Sequence, residues 1–308
     1  MGQKERSIMK RVAPAGAPSH LRRRLIPYGL LAPGTIWLVV FFVVPMYFMA
    51  EMSLRSGVPN TPEGFTFSWE FANYAEALDG RGEQIVRTCL YAGTATVFAL
   101  LIAYPLAYAI ALKVSPRWRL PLLFAVIAPF FTTYLIRTIA WETILADASP
   151  IVDVLKFLAI VPDDGRVLDT SGAVIAGLTY NFLPFMVLPI YASLERIDTS
   201  LIEAGKDLYA STRQAFLRVT LPLTMPGVVA GVLLTFIPAY GDYVNAEFLG
   251  GANNTMIGNK IQSTYLEESN YPEAAALSFL MMAAVLIAVL VYIRLAGTEA
   301  FVGSEEER

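Results

Sequence analysis

At the ends of two apolar blocks in this 308-residue chain, carboxylates stand with aromatic rings: Trp141 with Glu142, and Tyr240, Asp242, Tyr243 and Glu247. Carboxylates pair with cations and ring faces attract them, so such groups suit a positively charged ligand with apolar spacers. Other chemistries lack their parts. The single cysteine, Cys89, and single histidine, His20, exclude an internal disulfide and leave a zinc or haem centre without ligands, so no metal site is expected. No GxxxxGK[ST] phosphate loop, HExxH or GxSxG occurs, so no catalytic residue is assigned, and any ATP that drives this chain is hydrolysed by another. Cys89 lies in an apolar run and reads as a small core residue, and His20 lies in a polar tail and reads as solvated.

The elements that must hold these residues are apolar. The chain is 56% apolar and only 16% charged, with a mean hydropathy of +0.53, where soluble domains carry roughly 25% charge. Six apolar blocks, near 27–50, 85–112, 120–141, 172–194, 225–247 and 274–296, each match the ~20 residues a helix needs to cross a bilayer. The predicted fold class is therefore all-α, a polytopic membrane protein with six transmembrane helices. Residues 1–24 form a basic tail with Lys4, Arg6, Lys10, Arg11, Arg22, Arg23 and Arg24; the long block behind it, without a small-residue cleavage pattern, reads as an uncleaved first span. Residues 25–298 form the six-span membrane domain, and 299–308 an acidic tail.

Orientation follows from Lys and Arg, which stay on the cytoplasmic side of short loops. Segments 1–24, 113–119, 195–221 and 294–308 carry 16 of them, against 5 in 55–84, 142–170 and 242–273. Both termini are thus expected in the cytoplasm. The opposite loops carry 16 acids and a net charge of −11, which attracts cations and repels anions. Prolines interrupt most blocks: Pro33 and Pro45, Pro105, Pro121 and Pro129, Pro184 and Pro189, Pro226 and Pro238. Each removes a backbone donor and tends to kink its helix. Arg137, inside the third block, is expected to find an ion pair or a carbonyl partner.

The loop 195–222 reads as two short helices, about 201–208 and 212–220, with capping boxes at Ser200/Glu203 and Ser211/Gln214; Pro222 stops the second and Pro226–Gly227 opens the next span. It contains Glu203-Ala204-Gly205, Lys206-Asp207-Leu208, Tyr209, then Ala210 and Ser211, Phe216, Leu221-Pro222 and Pro226-Gly227. In these residues the chain resembles the integral-membrane permease subunits of binding-protein-dependent ABC importers, whose cytoplasmic loop carries EAA, three residues, a glycine and a later LP with PG. The resemblance implies a type I ABC importer permease fold with cytoplasmic coupling helices between the fourth and fifth spans. It assigns ATPase coupling to Glu203, Ala204, Gly205, Asp207, Leu208, Tyr209, Ala210, Ser211, Phe216 and Pro222. Two departures stand: Gly205 replaces the third alanine, and Tyr209 replaces the glycine that permits positive φ. Either the turn is built differently, with Gly205 lending the freedom, or the coupling geometry is altered.

Further likeness points to the spermidine/putrescine branch of that family: LIRTIAW, GDYV, FLGG, MIGN and AALSF occur in that order within Pro129–Leu145 and Gly241–Met281. It implies a heterodimer with a second, homologous permease subunit, two ATPase subunits that use ATP and Mg, and an extracytoplasmic substrate-binding protein. This chain itself would bind no cofactor and no nucleic acid, and would lie multi-pass in the bilayer of a bacterial plasma (inner) membrane. Trp141, Glu142, Tyr240, Asp242, Tyr243 and Glu247 would line the substrate path. Importers of another small solute, such as ferric ion, a phosphonate or an amino-acid derivative, remain open. An ion-coupled secondary carrier would need inverted repeats and paired intramembrane charges, neither of which is evident.

Overall fold

The computed structural model describes residues 30–57, 64–198, 200, 201, 203, 209 and 211–296. The basic tail with His20, the acidic tail, and Ala204, Gly205, Asp207, Leu208 and Ala210 lie outside the described residues. The chain divides into two compact units after Met52. The first is represented by residues 30–52 of helix α1 (Leu30–Ser53), which is 24 residues long and carries Glu51 as its one charge.

The second unit opens with a two-stranded antiparallel ribbon, β1 (Arg55–Gly57) and β2 (Phe65–Phe67), in which Arg55 faces Phe67. Helices α2 (Ala72–Leu78), α3 (Gly82–Lys113), α4 (Pro116–Phe131), α5 (Tyr134–Leu145), α6 (Pro150–Phe157) and α7 (Ser171–Glu195) follow, then α8 (Thr212–Tyr240), α9 (Val244–Leu249), α10 (Ile257–Leu266) and α11 (Tyr271–Ala296). Apart from the ribbon, the regular structure described is helical. Five helices are long and apolar enough to span a bilayer, and six if the bent pair α4–α5 counts as one span.

Helices α3, α7 and α8 pack together as the central bundle. The stripe that α3 turns inward is Thr88, Ala92, Ala95, Ala99, Ala103 and Ala107, all buried. Small residues let backbones approach closely, which matters in lipid, where apolar surface alone gives helices no reason to associate. Gly227 does the same for α8: a Cβ there would meet the Ser193 hydroxyl at 2.3 Å and the Pro189 carbonyl at 2.5 Å on α7. Cys89 lies one position off the α3 stripe and is exposed, which corrects its reading as a core residue.

Three boundaries differ from the sequence expectation. The third block, 120–141, is not one straight span: α4 and α5 meet at 93°. Pro129 sits in a 3₁₀ turn at Ala128–Phe131, Thr132 and Thr133 are extended, and the Thr132 hydroxyl donates to the Pro129 carbonyl at 2.7 Å, so a carbonyl at the break keeps a partner. Next, Pro222 does not stop a helix. A π-turn at Phe216–Thr220 lets the Leu221 N–H bond the Phe216 carbonyl five residues back, so the bonding register has slipped where proline's missing donor falls, and α8 runs through. The same device precedes Pro45 in α1, where the Val44 N–H reaches Val39. Finally, the fifth span ends at Tyr240 rather than at 247, because Gly241, Asp242 and Tyr243 form a loop before α9.

Candidate functional site

Asp242 lies two residues past the end of α8 and is 7% exposed. The phenol of Tyr134, the first residue of α5, donates to its Oδ2. The Asn245 backbone N–H donates to Oδ1 at 2.8 Å and the Asn245 amide to the same oxygen at 3.3 Å. That amide also donates to the Tyr134 hydroxyl. Asn181, midway along α7, donates to Asn245 Oδ1 at 3.1 Å and reaches the Thr138 hydroxyl at 3.5 Å. A buried carboxylate is tolerable when its lone pairs are filled, and here three donors from two residues fill them. The network ties the broken third span, the fourth span and the end of the fifth into one polar knot.

Arg137 stands beside it on α5, 9% exposed. Its guanidinium lies 4.7 Å from the Phe130 ring centroid and 5.5 Å from that of Tyr134. It has no ion pair among the described residues, and its buried Nε and Nη1 lack hydrogen-bond partners. The expected ion pair or carbonyl contact is thus replaced by two ring faces.

The predicted aromatic and acidic residues divide by exposure. Tyr240 is buried with its ring 5.9 Å from that of Phe236, and Trp141 packs at 5.3 Å on Tyr180. Both belong to the same apolar cluster as Tyr134, and Tyr240 also lines an apolar groove that α8 forms with α11. Glu142 is half-buried and makes no hydrogen bond or ion pair among the described residues. Tyr243 and Glu247 are exposed; Glu247 accepts from the Asn259 amide at 2.8 Å, which also donates to the Tyr243 carbonyl at 3.0 Å. Beside Tyr243, with Glu247 outside its lining, runs an open cavity of about 340 Å³ lined also by Gln262 and Tyr265. It shares Gly241, Ile261 and Met281 with an apolar groove of about 500 Å³ between α8 and α11. Sequence reasoning missed Tyr134, Thr138 and Asn181. The signal for Asn181 was present, since an amide in the middle of a span is costly unless it is partnered.

At the other end of α8, Glu203 is helical and exposed. Ser200 is itself helical and its N–H bonds the Asp198 carboxylate at 2.9 Å, so the cap lies earlier than the sequence indicated. That N–H holds the Asp198 carboxyl below its ordinary value. The second capping box forms as expected: Gln214 N–H to Ser211 Oγ at 3.3 Å, and Ser211 N–H to Gln214 Oε1 at 2.9 Å. Tyr209 resolves its own question by adopting φ +61° with its side chain 99% exposed, so it occupies the glycine conformation with no packing among the described residues to offset the strain. Phe216 stands edge-on to Tyr104 at 5.6 Å and to Tyr108 at 6.0 Å, which fastens the segment to α3.

Comparison with known proteins agrees with this architecture. The chain is 38% identical over 259 residues to the spermidine/putrescine transport system permease protein PotB of Haemophilus influenzae, covering 84% of this chain and 90% of that one. It is 36% identical to PotB of Escherichia coli K12, covering 84% and 93%. Among solved structures, a bacterial ABC transporter involved in the import of the acidic polysaccharide alginate superposes with a TM-score of 0.62 at 19% identity, over 90% of this chain and 96% of that chain, and so shares the fold. Residues 74–297 match the model of the binding-protein-dependent transport system inner membrane component, and this chain, with its bent third span and proline-traversed fifth, belongs to that family of ABC importer permeases.

Proposed function

We propose that this chain is the membrane-spanning permease subunit of a polyamine importer, of the spermidine/putrescine class. The observation that carries the reading is the 38% identity to a spermidine/putrescine permease along 84% of the chain. The chemistry supports it: exposed Tyr243 on a cavity, exposed Glu247 four residues on, buried Asp242 beside Tyr243 in the chain, and acidic loops opposite the basic ones all favour a cation. In this reading both termini face the cytoplasm, residues 1–24 and 299–308 are tails, and 25–298 is the permease domain. A second permease subunit completes the path, and an extracytoplasmic binding protein delivers the ligand. Two ATPase subunits bind ATP and Mg, while this chain binds neither and catalyses no reaction. The loop 195–222 meets the ATPase through Glu203 and its neighbours, and α8, continuous from Thr212 to Tyr240, carries the motion toward Asp242 as a rigid body.

The test is ATP hydrolysis by the reconstituted complex as binding protein is added with spermidine, putrescine or neither. Stimulation that requires a polyamine is expected. Stimulation only with another solute would keep the importer and discard the polyamine, and indifference to any ATPase would discard both. Glu203→Ala should lower stimulation and uptake, and parental behaviour in both assays would remove Glu203 from the coupling role.

A further inference from the structure

Two opposite charges lie buried in this chain without touching. Asp242 is held by neutral donors, Tyr134 and Asn245, while Arg137 lies against rings with its Nε and Nη1 unpartnered among the described residues. Tyr134 touches both: its hydroxyl donates to the carboxylate, and its ring lies 5.5 Å from the guanidinium carbon. An unpaired buried cation and an unpaired buried anion are each costly in an apolar interior, and each is the cheapest remedy for the other. A cation on the face of a phenol also draws electron density from the ring and makes its hydroxyl a stronger donor toward a carboxylate.

We propose that Arg137 is the positioning residue of Asp242: its cation compensates the carboxylate across the ring of Tyr134, and its Nε and Nη1 donors take the carboxylate over when Tyr134 withdraws. Both Tyr134 and Arg137 ride on α5, directly after the 93° break, so one rotation of that short helix exchanges one partner for the other. The buried carboxylate then stays neutralised throughout and does not trap a passing cation. This deepens the transport reading and rests on it only for the uptake arm of the test; the assembly arm does not depend on it.

The experiment compares Arg137→Met, Asp242→Asn and the double variant in the full complex, reading membrane assembly, thermal midpoint and polyamine uptake. Each single variant strands one buried charge and should lower uptake about tenfold or fail to assemble, while the double should assemble and return to within about threefold of the parent. Arg137→Lys, which keeps the charge, should retain most activity. Tyr134→Phe should cost less than about threefold in the parent, where Arg137 can replace the phenol, and about tenfold beside Arg137→Met. Independent losses that multiply, single variants that behave as the parent, or a double variant no better assembled than the singles would each overturn the couple. A parent complex whose ATPase ignores polyamines would instead overturn the transport reading and leave the assembly result standing.

Discussion

The hydroxyls of Tyr104 on α3 and Thr224 on α8 lie 2.8 Å apart, both buried. Thr224 directs its own proton to the carbonyls of Thr220 and Leu221, each at 3.0 Å, so Tyr104 is the donor of the pair. Phe216 stands perpendicular to the same tyrosine ring. The start of α8 is therefore bolted to α3 at two levels, by Phe216 just after the capping box and by Thr224 two further turns along.

Phe216→Ala tests that bolt. Removing a half-buried ring with two edge contacts should cost about 2 kcal/mol, whereas Tyr104→Phe, which keeps the ring, should cost about 1 kcal/mol. Thermal unfolding of the assembled complex reads the difference. Binding-protein-stimulated ATPase should fall about fivefold or more for Phe216→Ala and change little for Tyr104→Phe. Equal effects of the two would place the anchoring in the hydrogen bond instead.

Tyr209 offers the reverse case, a residue whose replacement should help. At φ +61° a side chain costs roughly 1 kcal/mol that glycine does not, and full exposure leaves nothing to compensate. Tyr209→Gly should raise the thermal midpoint, and Tyr209→Val, β-branched, should lower it. An unchanged or lower midpoint for the glycine variant would mean that the turn carries no such strain.

Gly227 sets the distance between α7 and α8. An alanine there would press into both Ser193 Oγ and the Pro189 carbonyl, and only the first can be relieved by substitution. Gly227→Ala should destabilise by about 2 kcal/mol, with partial recovery on adding Ser193→Gly. Full recovery in the double variant, measured by thermal midpoint, would show that the Pro189 backbone yields.

What the sequence discloses here depends on whether a signal is local. The apolar lengths place α3, α7 and α11 within a few residues, and Ser211 with Gln214 reads directly as a cap because all its partners lie within one turn. Pro222 misleads for the opposite reason: whether a proline ends a helix depends on the bonding register before it, and the π-turn at Phe216–Thr220 has no signature in residue types. The 93° break is similar, since Pro129 looks like the prolines that α7 and α8 absorb. At the site, Asp242 and its aromatic neighbours are legible as types, but its donors are not. Tyr134 lies 108 positions away and meets Asp242 only after three spans have packed.

That packing separates two acids that look equivalent in sequence. Asp242 accepts from three donors inside the protein, so Asp242→Asn presents an N–H where a donor already points and also strands the Arg137 cation, and the two together should lower thermal stability by about 2 kcal/mol along with uptake. Glu247 is exposed and accepts one bond from Asn259, which a glutamine oxygen can also accept, so Glu247→Gln should leave stability within about 0.5 kcal/mol. Its lost charge should still matter to a cation near the cavity beside Tyr243, lowering polyamine uptake at subsaturating concentration without loss of assembled complex. If uptake by Glu247→Gln matches the parent, Glu247 is a loop charge, and attraction of the cation must come from the wider acidic surface or from the second permease.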